Sequence, residues 1–239
     1  MPTPGTSSAA NAPDKTPWGA VFMFCGLFPI FGFVTWLNGP LITFSKLAFS
    51  LNDVCAFFVP SVFYLSYFFL ALPSAFILRK TGMKTGMALG LLAMAIGAAG
   101  FGQFASMRLF PPTLASLFVI GAGLSLLQTA SNPYISVLGP IESGAQRIAL
   151  LGIFNKLAGA AAPVVIGTLI LNGIGQMQAQ VDAAPSTAAR ELLLNAFAAR
   201  IHLPYLLMGA FLAVIAFLVY KSPLPNISDD ANPGAGKGF

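Results

Sequence analysis

Two amides and a proline lie close together in the apolar stretch 124–140, whose sequence is LSLLQTASNPYISVLGP. Gln128 and Asn132 are one helical turn apart, so on a helix both side chains project from one face. Pro133 carries no backbone amide and leaves the carbonyl of Thr129 without its usual donor. Polar groups at bilayer depth face a bundle interior or a water-filled cavity, and non-helical backbone is tolerated there only where it is buried or lines a cavity. The segment therefore predicts a helix break at Pro133 and a cluster of neutral hydrogen-bonding groups, which suits a polyhydroxy solute better than an ion.

The same residues have a second interpretation, in which the amides only hold two helices together. Such interhelical bonds contribute about 1 kcal/mol or less. Gln128 alone favours this lock. Gln128 and Asn132 together with the proline favour the cavity.

The composition excludes an ordinary soluble domain. Only 8% of the 239 residues are charged and 56% are hydrophobic, whereas about a quarter of a soluble domain is charged. Cys25 and Cys55 lie in apolar stretches without metal-ligand spacing, so they are interpreted as small hydrophobic residues. The net charge of +5 comes from a few loop residues and does not indicate a nucleic-acid partner. We expect no metal and no cofactor, and no His, acidic or Ser/His cluster indicates an enzyme.

Six long apolar runs predict an all-α integral membrane protein, because about 20 apolar residues are needed to cross a bilayer. The six spans are 18–45, 54–78, 85–107, 109–141, 148–172 and 201–220. Spans three and six carry almost no interior polar groups and are expected to be lipid-facing supports. A short surface helix is predicted at 188–199. Residues 1–17 are expected to be a disordered cytoplasmic lead, and 222–239 a cytoplasmic tail or the start of a central linker.

The loop cations predict the orientation of the chain. Arg79, Lys80 and Lys84 cluster between spans two and three, with Arg147 and Lys221 on the same side. Because basic residues of short loops stay in the cytoplasm, both termini are predicted to be cytoplasmic. The opposite side also carries cations, namely Lys46, Arg108, Arg190 and Arg200.

A weak internal symmetry relates spans one and four. A Gly-Pro pair follows Asn38 in span one, and Pro133 follows Asn132 in span four. Interruptions at matching positions of two repeats indicate a transporter binding site. Six spans dividing three and three would make these positions equivalent.

Span five adds Asn155 and Lys156 to the candidate binding residues. The lysine has two possible roles. It either extends along the helix so that its charge reaches the interface, or it points into the cavity as a donor to a substrate oxygen.

Four stretches carry a family resemblance: FVTWLNGPL at 33–41, LRKTGMKTG at 78–86, LQTASNPYISVLGP at 127–140, and Phe154-Asn155 with the small residues after it. They resemble the amino-terminal half of major facilitator superfamily sugar transporters, most of all the fucose–proton symporter family with its bacterial glucose/galactose transporters. The resemblance implies one six-helix half with a 3+3 inverted repeat in the bacterial cytoplasmic membrane. It further implies alternating-access transport of a hexose or deoxyhexose. The implied substrate-binding residues are Asn38, Gln128, Asn132 and Asn155, joined by Lys156, and the implied gating loop contains Arg79, Lys80, Gly82 and Lys84.

Two departures from the family pattern concern proton coupling. Proton-coupled members have an aspartate where this chain has Gly39, and a glutamate can stand in place of Gln128. Neither replacement can titrate, so proton coupling through this half is not expected.

The length of the chain is the largest departure, because the superfamily encloses its site between two six-helix halves. The chain is therefore expected to be a fragment of a longer product, a natural half that pairs with a second six-helix half, or a half that pairs with a second copy of itself. Its other partners are a sugar substrate and the lipid bilayer. The alternative function is a non-transporting membrane scaffold or regulatory subunit that binds partner helices.

Overall fold

The computed structural model describes residues 18–137 and 143–224, and every regular element in these ranges is a helix. Six stretches are long and apolar enough to cross a membrane, which confirms the predicted six-span architecture. Predictions for 1–17 and 225–239 lie outside the described residues. The helices are α1 (Trp18–Trp36), α2 (Asn38–Ala48), α3 (Asp53–Ala56), α4 (Phe58–Thr81), α5 (Met83–Ser106), α6 (Phe110–Val137), α7 (Gly144–Leu169), α8 (Ile174–Asp182), α9 (Thr187–Ala199) and α10 (His202–Lys221).

Local sequence signals account for several helix ends. The side chain of Asn52 accepts a 2.8 Å hydrogen bond from the Cys55 amide at the start of α3, and Ser186 caps α9 in the same way. Such caps satisfy amide groups that a helix start leaves without partners. Between α4 and α5 the chain turns at Gly82, whose φ of 79° suits glycine. Helix α9 confirms the predicted surface helix, whereas α8 was not predicted.

The two proline motifs have different outcomes. Span one is divided into α1 and α2 at Leu37, because Pro40 has no amide to donate to the carbonyl four residues before it. Helix α6 instead continues through Pro133 to Val137, so the predicted break at Pro133 is not found. One missing amide bond does not end a membrane helix whose neighbours hold it on both sides.

Helix α5 packs between α6 and α10 within the six-helix bundle. It meets α6 where Gly90 faces Gly123, so closely that a Cβ on Gly123 would lie 2.5 Å from the Gly90 carbonyl oxygen. The third span thus has two sides: its glycine and alanine side is buried in the bundle, and its other side, with Leu92 and Ile96, is exposed as expected for a lipid-facing support. Helix α10 keeps a long exposed apolar side that includes Leu207 and Phe211, as expected for the sixth span.

The remaining spans form two matched pairs, α1 with α7 and α4 with α6. In the 3+3 inverted repeat these pairs are equivalent, because α1 corresponds to α6 and α7 corresponds to α4. The first pair approaches at Gly32, where an added Cβ would lie 1.8 Å from the backbone oxygen of Asn155. This backbone contact fixes the depth of α7 relative to α1.

The two ends of the bundle differ in how they are closed. At the end that carries α9, called here the α9 end, Arg108 donates a 2.6 Å hydrogen bond from Nε to the carbonyl of Ala48. Its guanidinium also pairs with Glu191 and donates to Asn195 at 3.2 Å. Arg108 thus joins the last residue of α2 to helix α9. The opposite end, where α4 meets α5, is called the basic-loop end.

Candidate functional site

Gln128 on α6 is held by a tyrosine of the neighbouring helix. The hydroxyl of Tyr67 on α4 donates a 2.6 Å hydrogen bond to the Oε1 atom of Gln128. Both side chains are half-buried. Among the described residues nothing bonds the Gln128 amide nitrogen, so its two N–H donors are available to a ligand.

Asn155 on α7 is held against α1. Its Nδ2 donates a 3.3 Å hydrogen bond to the carbonyl of Phe28, and its backbone oxygen lies against Gly32. Within the described part of the chain the Oδ1 atom makes no hydrogen bond, so it is available as an acceptor. The two amides thus offer one donor group and one acceptor.

Gln128 and Asn155 lie at similar depth in the bundle. The rings of Phe24 on α1 and Tyr134 on α6 are 5.5 Å apart between centroids, which sets the depth of α6 relative to α1. With a rise of 1.5 Å per residue, Gln128 lies about 9 Å from the Tyr134 level toward the α9 end. Asn155 lies beside the α1 segment between Phe28 and Gly32, about 6–12 Å from the Phe24 level in the same direction. The two amides that the sequence analysis assigns to one site therefore lie at similar depth on different helices.

Asn132 and Lys156 extend this region. Asn132 is one turn from Gln128 on the same continuous helix, nearer the basic-loop end, and its side chain is exposed. Lys156 follows Asn155 and is also exposed.

Asn38 lies apart from the other candidate amides. Only 4% of its surface is exposed. Its Nδ2 donates to the Thr35 carbonyl at 2.9 Å, while its buried Oδ1 has no partner. It borders a small void of about 10 Å³ that Phe63 and Tyr205 also line. The interruption between α1 and α2 orients the Asn38 side chain toward the interior of the bundle, between α4 and α10.

Two aromatic residues near the amides were missed by the sequence analysis. Tyr67 positions Gln128, and Trp36 is 50% exposed while its indole lies against Gly159 of α7. A Cβ on Gly159 would come within 2.7 Å of the Trp36 ring, so the glycine makes room for the indole one turn from Asn155. Trp36 lies within the FVTWLNGPL motif, and an aromatic residue with a polar tip inside a span was the signal available for both.

Arg147 was interpreted only as a loop cation, and the structure gives it a larger role. Its side chain is buried, with 7% exposed. It donates to the carbonyls of Ile135 and Ser136 and, at 2.6 Å, to the hydroxyl of Ser143. The guanidinium therefore caps the last turn of α6, where helix carbonyls have no intrahelical partner. It ties the start of α7 to the helix that carries Gln128 and Asn132.

The basic loop between α4 and α5 is a tight turn at Gly82. Arg79 and Lys80 are exposed at the end of α4. Lys84 instead donates a 2.6 Å hydrogen bond to the carbonyl of Ser222, which links the start of α5 to the end of α10. The loop residues therefore lie together at one end of the bundle.

Taken together, the amide groups can bind a neutral polar ligand by exchanging hydrogen bonds. Gln128 offers N–H donors, Asn155 offers an acceptor, and Trp36 offers an exposed ring about one helical turn from Asn155. Every carboxylate of the chain lies outside the six predicted spans. The arrangement suits hydroxyl groups and a ring with apolar faces.

The chain is similar to curated bacterial transporters over one half of their length. It is 34% identical over 230 residues to a glucose/galactose transporter of Brucella abortus, covering 96% of this chain and 52% of that protein. It is 31% identical over 217 residues to the L-fucose-proton symporter of Escherichia coli, covering 90% of this chain and 49% of that protein. The chain thus spans about half the length of the curated relatives it matches. No protein-family model matches it.

Solved structures give the same result. A crystal structure of the major facilitator superfamily transporter FucP in the outward conformation matches with a TM-score of 0.75 and 30% identity, over 86% of this chain and 50% of that one. A second structure of the Escherichia coli fucose–proton symporter matches with a TM-score of 0.77 and 28% identity, over 93% of this chain and 54% of that one.

The fold and the amide-bearing helices therefore define a membrane protein built as one six-helix half of a major facilitator superfamily transporter. More narrowly, the chain is similar to the amino-terminal half of bacterial glucose/galactose transporters and L-fucose–proton symporters of that superfamily.

Proposed function

We propose that this chain forms the amino-terminal half of a carrier that moves a monosaccharide across the bacterial cytoplasmic membrane by alternating access. The observation that carries the proposal is the placement of Gln128 and Asn155 at one depth on different helices, each held by one hydrogen bond and each offering a group to a ligand. The names of the relatives, which are sugar transporters, support the same substrate class.

The proposed site contains Gln128, Asn132 and Asn155, with Trp36 as a ring platform. Asn38 contributes through its position between α1 and α2, with its Oδ1 available to a ligand only if those helices rearrange. Lys156 is exposed beside Asn155, which keeps it as a proposed donor to a sugar oxygen. In the alternative its charge extends to the interface.

The proposed partner is a second six-helix half, or a second copy of this chain, seated against α4 and α7. These two helices are the least covered of the six spans. In the most apolar 18-residue segment of each, 22% of the residues of α4 and 17% of the residues of α7 are buried. Exposed phenylalanines follow both helices, among them Phe68 and Phe69 on α4 and Phe154 on α7. Unlike the exposed apolar side of α10, these two helices carry Tyr67 and Asn155, so a partner seated against them would enclose the proposed site.

The proposed carrier does not couple sugar to protons through this half, because Gly39 and Gln128 cannot titrate. We further propose that both termini lie in the cytoplasm, so that the basic-loop end is cytoplasmic. Arg79, Lys80, Gly82 and Lys84 then form a cytoplasmic gating loop.

The test is sugar counterflow in proteoliposomes. Its first step is to read the DNA downstream of the Phe239 codon, where a further six-span reading frame would supply the second half for coexpression. Without one, the chain is reconstituted alone. Radiolabelled glucose, galactose and L-fucose are compared, and we expect saturable exchange of at least one. Asn155→Ala is expected to lower the exchange rate at least tenfold.

Gln103→Ala is the matched control, because this exposed amide lies on α5 away from the site and its loss should leave exchange unchanged. If neither the completed carrier nor the chain alone exchanges or binds any of these sugars, the transport proposal is wrong. The scaffold function would then be supported by a membrane protein that copurifies with the chain in a fixed ratio.

A further inference from the structure

One helix contact is present in one repeat of the bundle and absent from the other. Helices α5 and α6 pack closely, with Gly90 against Gly123. Their equivalents in the other repeat are α10 and α1. These helices do not close on each other, and a groove of about 490 Å³ separates them, with α7 as its third wall.

The groove is apolar and lies on a membrane-spanning surface. Its walls include Ile30 and Phe33 on α1, Val165 on α7 and Phe211 on α10. At Gly26 the groove has open space, since an added Cβ would meet no heavy atom within 4 Å. Packing inside a membrane depends on van der Waals contact, so an apolar space of this size requires an apolar occupant.

The length of the groove matches one leaflet of a bilayer. Along α7 it extends from Ala158 to Leu169, and along α10 from Leu212 to Pro204, which are distances of about 17 Å and about 12 Å. Half of the hydrocarbon core of a bilayer is about 15 Å. The groove starts near the middle of the spans and opens at the α9 end, as an acyl chain entering from that leaflet would.

A cation stands at the open end of the groove. Arg200 is exposed, and its Nη1 donates a 2.8 Å hydrogen bond to the carbonyl of Asn172. Asn172 lies three residues beyond Leu169, and Arg200 lies four residues before Pro204 on a nearly continuous helix. The guanidinium is therefore about 5–6 Å beyond the apolar walls, at the level of a lipid headgroup. Its remaining N–H groups suit a phosphate oxygen.

We propose that this groove is a binding site for one phospholipid of the leaflet at the α9 end, with an acyl chain between α1, α7 and α10 and its phosphate at Arg200. The lipid replaces the contact that α5 and α6 make directly in the other repeat. The inference is independent of the transported substrate.

The experiment is native mass spectrometry of the full chain purified in a mild detergent, with copurified phospholipid counted per chain. The natural sequence is expected to retain one phospholipid. Gly26→Leu, which fills the groove without a backbone clash, is expected to lower occupancy at least fivefold. Gly19→Leu is the matched control on the same helix, since Gly19 also has open space but lies outside the groove. Arg200→Gln is expected to lower occupancy severalfold.

A second measurement needs no variant. Vesicles that contain phosphatidylcholine with a photoactivatable acyl chain are expected to label peptides of α1, α7 and α10 at groove residues such as Val165 and Phe211. The proposal would be overturned if the natural sequence retained no lipid or if Gly26→Leu retained as much as the natural sequence. It would also be overturned if α4 were labelled as strongly as α1, α7 and α10. A lipid-free dimer that Gly26→Leu dissociates would identify the groove as a helix-docking surface instead, and would also overturn it.

Discussion

The hydroxyl of Tyr67 on α4 donates its hydrogen to the side-chain oxygen of Gln128 on α6, at 2.6 Å. This bond takes one of the two lone pairs of the oxygen and fixes the orientation of the amide, while the N–H donors have no partner among the described residues. In the proposed site Gln128 therefore serves mainly as a donor. A glutamate in its place would present an acceptor in its ionised form, so this position differs from the carboxylate-bearing pattern in hydrogen-bond polarity as well as in charge.

Replacing Tyr67 by phenylalanine removes the donor and lets the Gln128 amide rotate. Sugar affinity is expected to fall about 3- to 10-fold, equivalent to roughly 0.5–1.5 kcal/mol. The measurement is the half-saturation concentration for uptake by the completed carrier. Tyr64→Phe is the control, because Tyr64 is exposed on the same helix. Equal affinities for the two variants would show that the bond does not orient Gln128 for a ligand.

The Gly32→Ala variant tests the seam between α1 and α7. Its new Cβ would lie 1.8 Å from the backbone oxygen of Asn155 and 2.7 Å from the carbonyl carbon, and backbone atoms cannot move aside as a side chain can. We expect a loss of stability of about 1–3 kcal/mol or more, seen as a lower midpoint of thermal unfolding in detergent. Gly19→Ala, which meets no atom within 4 Å, should unfold like the natural sequence. An unchanged midpoint for Gly32→Ala would mean that the helices are not this close.

Arg147→Gln removes the buried guanidinium that caps α6. The carbonyls of Ile135 and Ser136 lose their charged donor, with an expected cost of about 1.5–3 kcal/mol. The change should appear in thermal unfolding and as faster hydrogen exchange of amides in the last turn of α6. Arg190→Gln serves as control, because Arg190 is exposed on α9. Similar effects of both substitutions would argue against a capping role.

Pro133→Ala restores a backbone donor for the carbonyl of Thr129 inside a helix that is already continuous. We expect expression to be retained, thermal stability to be equal or higher, and the transport rate to fall severalfold, since the amide-bearing face loses local freedom. Pro163→Ala on α7 controls for removing a proline from a span. If Pro133→Ala takes up sugar at the same rate as the natural sequence, the proline has only a packing role.

The spans and their number followed from the sequence because the length of an apolar run carries that information directly. The pairing of Gln128 with Asn132 followed from helical periodicity. The burial of Asn38 did not follow, because it depends on how the α1–α2 interruption rotates the helix, and a proline motif does not specify rotation. The continuity of α6 through Pro133 depends likewise on neighbouring helices.

Contacts between distant segments were the other part that sequence reasoning could not supply. Tyr67 and Gln128 are 61 residues apart, and nothing in either stretch names the other as partner. Arg147 looks in sequence like any cation at the end of a span. Whether such a cation faces water or caps a neighbouring helix is decided by the crossing of α6 and α7.

Arg108 has a consequence for the order in which the chain is assembled during synthesis. The Ala48 carbonyl, which accepts its hydrogen bond, has already been synthesised when Arg108 leaves the ribosome. Glu191 and Asn195 follow only 83 and 87 residues later. Until then the guanidinium holds only the end of α2. The α9 end of the bundle is therefore completed as one of the last steps of biogenesis, after five of the six spans have been synthesised.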